Sequence, residues 1–325
     1  MGSPRGERLE DVVRWEPEHV LDGLAVWIYG AIRTAFRWVL ILAGVGILGF
    51  ITAVTGLSAV GDPVVFAIVI LSIVPALALA GFVWRADVGA EEPPTLLAVT
   101  FVLGVIFAAF AGLLNALGAQ LVGAVPVVSS VVFLYLVVGP VEEGVKLLAV
   151  RLHAFRHRRF DAVVDGAVYG AVAGLGFATI ENALYITDAL EGLARPVVTD
   201  ALGEAATVRA LVGPGHVIYS GIAGYYLGLA KFNPRHAGPL VVKGLLVAAA
   251  LHATYNLTVG VVPALLVAVV GLSAIEALLA FILVYDGLAG YYLYRKLSRY
   301  RRAYRASRGE GPGGDGPHLT EFDPS

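Results

Sequence analysis

The stretch Gly139-Pro140-Val141-Glu142-Glu143-Gly144-Val145-Lys146 places two adjacent carboxylates and an ammonium inside a run otherwise apolar enough to lie in a membrane. A charge near the bilayer centre costs at least about 2.5–3.5 kcal/mol on insertion scales, so ionisable residues there are functional candidates first. Glu142 and Lys146 stand four residues apart on one helix face, which predicts an ion pair between them. Glu143 is turned away by about 100° and is left for another role. Three later stretches supply partners: Phe177 to Asn182 with Glu181, Gly215-His216, and His252 to Asn256. A single ion pair or a single intramembrane histidine has a plain structural reading. Two histidines on separate helices, opposite three acids, are harder to explain that way.

These residue types allow two related chemistries. A glutamate in a dry site is a competent general base near neutral pH and can activate water for attack on a carbonyl. Carboxylates with two histidines also make the N/O donor set of zinc with an open position for water; Glu143, Glu181, His216 and His252 are the candidate ligands for Zn2+. Asn256 follows His252 by one turn and can orient its ring or donate to an oxyanion. Asp165 opens a helix, where negative charge suits the N-terminus, and reads as structural.

The elements that must carry these groups are membrane helices. Of 325 residues, 58% are hydrophobic and 15% are charged, against roughly 25% charged in a soluble domain. The absence of cysteine excludes disulfides, thiol catalysis and Cys-based metal sites. A net charge of −2 gives no sign of a nucleic-acid partner. Apolar runs of spanning length fall near 38–60, 63–84, 95–117, 129–150, 162–187, 209–230, 239–259 and 263–287, each meeting the ~20-residue requirement. The expectation is an all-α polytopic membrane protein of about eight transmembrane helices.

With both termini cytoplasmic, 23 Lys/Arg residues fall on the inner side except Lys146, Arg195 and Arg209, as the positive-inside rule requires. Residues 1–37 read as a cytosolic tail and interfacial helix, 38–125 as N-terminal transmembrane helices, and 126–260 as the catalytic core. The last transmembrane helix and a basic cytosolic end occupy 261–308, and a Gly/Pro-rich disordered tail 309–325. At ~1.5 Å per residue, Glu181, His216 and His252 lie roughly 10–15 Å in from the outer face. Glu142 lies deeper, at roughly 20–24 Å, if its helix begins at Pro126; it joins them if the helix starts at Ser129-Ser130, the favoured start because serine is a good N-cap, with 118–128 as a re-entrant or interfacial loop. Glu276 reads as a lone acid deep in the last span. Gly166-x3-Gly170-x3-Gly174 and Gly224-x3-Gly228 are helix-packing signatures.

Glu142-Glu143-x-x-Lys146, Gly176-Phe177-x3-Glu181-Asn182, Pro214-Gly215-His216 and Leu251-His252-x3-Asn256, in this order, resemble the PrsW family of intramembrane proteases. That family stands with the type II CAAX prenyl endopeptidases. The resemblance covers about residues 135–257, and Asp165-Gly-x-x-Tyr169-Gly fits it too. It implies that Glu142 and Glu143 carry catalysis, with Glu181, His216 and His252 completing the site. It also implies a membrane-anchored protein substrate, such as an anti-sigma factor, cut on the extracytoplasmic side. Relative to the prenyl endopeptidases, Glu181 stands where a histidine is expected and Lys146 falls one residue before their arginine. The rival reading is a proton- or ion-coupled transporter, since buried Glu/His/Lys sets also build relays. Against it, no internal repeat or matched pair of interrupted helices is visible.

Overall fold

The computed structural model describes residues 19–54, 63–85, 87, 92–122, 126–189 and 195–307. Most of the expected tail before residue 19 and the whole of 309–325 lie outside the described residues. All regular elements within them are helical. They are α1 (Val20–Val54), α2 (Pro63–Ser72), α3 (Val74–Trp84), α4 (Pro94–Val122), α5 (Pro126–Phe133), α6 (Gly139–Leu152), α7 (Val163–Asp188), α8 (Arg195–Phe232), α9 (Ala237–Thr258), α10 (Val261–Val270) and α11 (Ala274–Ser307). Six of the described helical segments are long and apolar enough to cross a membrane: Val20–Gly49, Val65–Trp84, Pro94–Val122, Val163–Asp188, Pro234–Thr258 and Ala274–Ser307. Between them run two more polar rods, α5 to α6 and α8. The chain divides into two compact units, residues 1–45 and 46–325; the polar residues of interest all belong to the second.

Four expectations change. The interfacial segment and the first span are one helix, α1, because no proline interrupts residues 20–54. The helix before Glu142 begins at Pro126, not at Ser129-Ser130, and α4 runs to Val122, so 118–122 is helix and not loop. A π turn at Leu134–Val138 joins α5 to α6. Pro140 lies just beyond it, with no N–H to donate and a ring that crowds the preceding turn, and the wider coil absorbs both defects. The last expected span is broken: α10 ends at Gly271, whose φ of 78° is left-handed and suits glycine. Ser273 and Glu276 then start α11 with a reciprocal cap, Ser273 N–H and Oγ donating to Glu276 at 2.9 and 2.7 Å. Glu276 is therefore an exposed capping residue, not a buried acid.

Glycines set the spacing of the core. A Cβ on Gly166, Gly170 or Gly174 of α7 would collide with the carbonyl of Gly224, Ser220 or His216 of α8. Gly228 meets Val163 in the same way, so the two glycine series form one close backbone contact. Gly104 and Gly176 do the same between α4 and α7, and a Cβ on Gly139 would sit 2.6 Å from the Ala249 carbonyl of α9. Each of these contacts brings together two helices that carry polar site residues.

At the start of α7, Asp165 accepts hydrogen bonds from the amides of Asp161 and Ala162 at 2.7 and 2.8 Å. It caps the helix, as expected. Beside it, Glu92 is buried just ahead of α4 and accepts a hydrogen bond from the Tyr169 hydroxyl. Asp165, Asp87 and Asp161 face it, with Lys231 opposing them from α8. Burial, aided by these acids, pushes the Glu92 carboxyl from its ordinary 4.5 up to about 8. Between those values the folded chain holds a proton that the unfolded chain lacks, so the contribution is stabilising at low pH and is lost as pH rises through about 8. Thermal unfolding of Glu92→Gln should depend less on pH between 5 and 8.5 than that of the wild type. Equal pH slopes in the two proteins would refute this.

Candidate active site

The polar residues of six helices meet in one buried cluster. Glu142 and Glu143 come from α6 and are 5% and 0% exposed, with Lys146, one turn on, at 1%. Lys146 pairs with Glu142 as the helix spacing suggested, but more closely with Glu143: Nζ lies 2.7 Å from Glu143 Oε1 and 3.9 Å from Glu142 Oε2. The reason is that α9 and α8 pull Glu143 inward. Its Oε1 also meets His252 Nδ1 at 3.0 Å, and its Oε2 accepts from Ser220 Oγ at 3.0 Å. Glu143 is thus fully engaged, and its place is beneath His252.

Glu142 is the carboxylate left open. Its Oε1 accepts from Asn115 Nδ2 of α4 at 3.0 Å. Oε2 is buried without a hydrogen-bond partner, 3.7 Å from His252 Nε2. The rings of His216 and His252 meet edge-on with centroids 5.1 Å apart. One ligand atom each from Glu142, His216 and His252 lies within 4.8 Å of the others, a set able to hold a metal ion. This differs from the expected ligand set by replacing Glu143 and Glu181 with Glu142.

Glu181 on α7 is held from the opposite direction. Its Oε2 lies 2.6 Å from Arg209 and 2.8 Å from His216 Nε2. Arg209 is fixed by Asn182 Oδ1 at 2.9 Å and stacks over Tyr185, with its Cζ 4.4 Å from the ring centroid. Asn182 is anchored in turn to Ser72 Oγ at 3.0 Å. His216 Nδ1 is 2.9 Å from Lys146 Nζ, and Phe177 covers both, its ring centroid 4.1 Å from Nζ. Ser72, Asn182, Arg209, Glu181, His216, Lys146, Glu143 and His252 therefore form one continuous polar chain from α2 to α9. It holds Glu143, Glu181, Lys146 and Arg209, and with Glu142 the formal charges leave one negative in excess, an arrangement that favours a bound cation.

All five residues expected in the site, Glu142, Glu143, Glu181, His216 and His252, are in this cluster, with Lys146 and Asn182. Asn256 is half-buried, and its side chain makes no hydrogen bond among the described residues; Asp165 is elsewhere, capping α7. Four participants were not anticipated. Arg209 had left a trace as an exception to the charge alternation. Ser220 is one turn from His216 on the same face, and Asn115 is a strong hydrogen-bonding side chain within an apolar run. Tyr219, whose ring lies 5.7 Å from that of His252, left no trace that separates it from other core aromatics.

A bundle with six helices long and apolar enough to cross a membrane, enclosing an acid–histidine–lysine centre, defines a polytopic membrane protein with a buried polar site. Comparison with known proteins narrows the class. The family model described as PrsW family intramembrane metalloprotease matches residues 92–305. Protease PrsW of Bacillus subtilis is 32% identical over 194 residues, covering 59% of this chain and 82% of that protein. Protease PrsW of Halalkalibacterium halodurans is 30% identical over 192 residues, 59% and 82% of the two chains. That of Shouchella clausii is 28% identical over 192 residues, 58% and 81%. No solved structure matches the chain significantly. The chain belongs to the PrsW family; it is an intramembrane protease and a multi-pass integral membrane protein.

Proposed function

We propose that this chain hydrolyses a peptide bond of a membrane-anchored protein, of the anti-sigma-factor kind, near the extracytoplasmic side of the bilayer. The reading rests on Glu142, whose buried, unpartnered Oε2 faces the two histidines. The residues fit a divalent ion: two imidazoles and one carboxylate are a zinc donor set, and the cluster carries an excess negative charge. Glu142, His216 and His252 would hold the ion, with His216 giving up one of its two present partners. Zinc bound there would supply a Lewis acid and lower the pKa of a bound water.

The remaining residues supply position and proton transfer. Glu143 accepts from His252 Nδ1 and so directs Nε2 into the site, the usual arrangement behind a metal-binding histidine. Arg209 and His216 fix one oxygen of Glu181, and the other makes no hydrogen bond among the described residues. That oxygen takes a proton from the attacking water and returns it to the leaving amine. Lys146 offsets the charge of Glu143, as Arg209 offsets that of Glu181, and leaves Glu142 as the one carboxylate in excess. Family membership favours this reading over the transporter, as does a centre in which each charged group already has a place relative to one open carboxylate.

The test is metal content together with proteolysis. Purified protein in detergent, dialysed against zinc, should retain about one ion per chain, and His252→Ala should retain none. Cleavage of a tagged single-span membrane reporter should stop with chelator and return with zinc. Full cleavage without stoichiometric metal would leave a metal-free mechanism on Glu142 and Glu181 as the better account.

A further inference from the structure

Asp286 is a buried acid on α11, a helix that supplies none of the groups of the candidate active site. It is 6% exposed, and its Oδ1 accepts from the Tyr219 hydroxyl of α8 at 2.6 Å. The Tyr219 ring lies against the His252 ring, centroids 5.7 Å apart and planes 33° apart. Along α8 it passes over Gly215, where a Cβ would come within 3.1 Å of the ring. Tyr219 is therefore fixed at its hydroxyl and confined along its face. A side chain at Gly215, within the Pro214-Gly215-His216 motif, would press on the ring at 3.1 Å and shift it.

His252 needs such a wall. Its bond to Glu143 fixes one ring nitrogen, but a single hydrogen bond leaves the ring free to pivot about that contact. We infer that Asp286 and Tyr219 are positioning residues of the proteolytic site: Asp286 holds the Tyr219 ring where it keeps His252 Nε2 turned toward Glu142. The inference rests on the role of His252 proposed above. Nearby chemistry supplies a control. Tyr226 and Tyr292 join the same two helices by a 2.6 Å hydroxyl–hydroxyl bond. Tyr226→Phe therefore reports what loss of an α8–α11 tie does by itself.

The measurement uses the full-length protein labelled with 15N-histidine, the His252 signals being those that vanish in His252→Ala. The wild type should show His252 in one ring state. Tyr219→Phe and Asp286→Ala should show it exchanging between two. Asp286→Asn, whose amide oxygen still accepts from the hydroxyl, and Tyr226→Phe should match the wild type. Cleavage of the tagged single-span reporter should fall about 10–100-fold in kcat in the first two variants, with KM unchanged, and recover in Asp286→Asn. Wild-type ring signals in Tyr219→Phe would overturn the inference. So would an equal loss of cleavage in Tyr226→Phe, which would reduce the pair to a helix tie. If His252→Ala still cleaves, the site reading fails instead, and the ring signals still decide whether Tyr219 holds the histidine.

Discussion

Glu142→Gln should lower reporter cleavage by at least about 100-fold, the upper end of what losing a residue behind a metal ligand costs, while thermal stability stays at or above that of the wild type. The substitution keeps the shape of the side chain and an oxygen able to accept the Asn115 bond, which is 3.0 Å in the native chain. It removes the charge and the ligand character of Oε2, which is buried without a hydrogen-bond partner and lies 3.7 Å from His252 Nε2. A neutral amide is cheaper to bury than a carboxylate, so the fold loses nothing. Lys146 is not stranded, because its 2.7 Å partner is Glu143. Glu143→Gln is the less informative change: it disturbs His252, Ser220 and Lys146 together, so lost cleavage there would not separate chemistry from packing. Unfolding temperature and cleavage rate measured on Glu142→Gln, with the exposed Glu276→Gln as control, decide the matter. Wild-type cleavage in Glu142→Gln would remove it from the reacting centre.

The difference between Glu142 and Glu143 is set by tertiary contacts that residue type alone does not show. Residue type and membrane setting were enough to single out Glu142, Glu143, Glu181, His216 and His252, since a charge in an apolar span needs a reason. Helix periodicity placed Glu142 and Lys146 on one face, and that is geometrically true, but both i,i+3 and i,i+4 are within reach of a lysine. The choice between them is made by Ser220 and His252, on other helices, which is tertiary information. Glu276 was misplaced for a related reason. The break at Gly271 lies in an apolar run whose hydropathy does not change, so the run alone cannot show it; Ser273 three residues before Glu276 is the capping signature that does. The glycine series were legible as packing surfaces, whereas the fact that they face each other, and so place His216 beside Glu181, is visible only in the fold.

Lys146→Met should destabilise the protein by about 3–5 kcal/mol, the usual effect of removing one member of a buried ion pair. Methionine keeps much of the apolar stem and deletes the ammonium, which lies 4.1 Å from the Phe177 ring centroid. Glu143 then keeps the Ser220 and His252 bonds at 3.0 Å but loses its counter-charge in a site with no exposure. His216 loses its Nδ1 partner at 2.9 Å as well. Ordinary hydrogen bonds between membrane helices average only about 0.6 kcal/mol, so a loss of several kcal/mol would identify the charge, not the bonds, as the cause. The double variant Lys146→Met/Glu143→Gln separates the two. With both charges gone it should recover at least about half of the lost stability, because the desolvation cost of the carboxylate goes with its partner. It should still fail to cleave, since His252 no longer has an anionic anchor. Unfolding by SDS titration of the wild type, both single variants and the double gives the coupling directly. Additive losses would mean that Lys146 and Glu143 act independently, and the polar chain across the bundle would then have to be divided at that link.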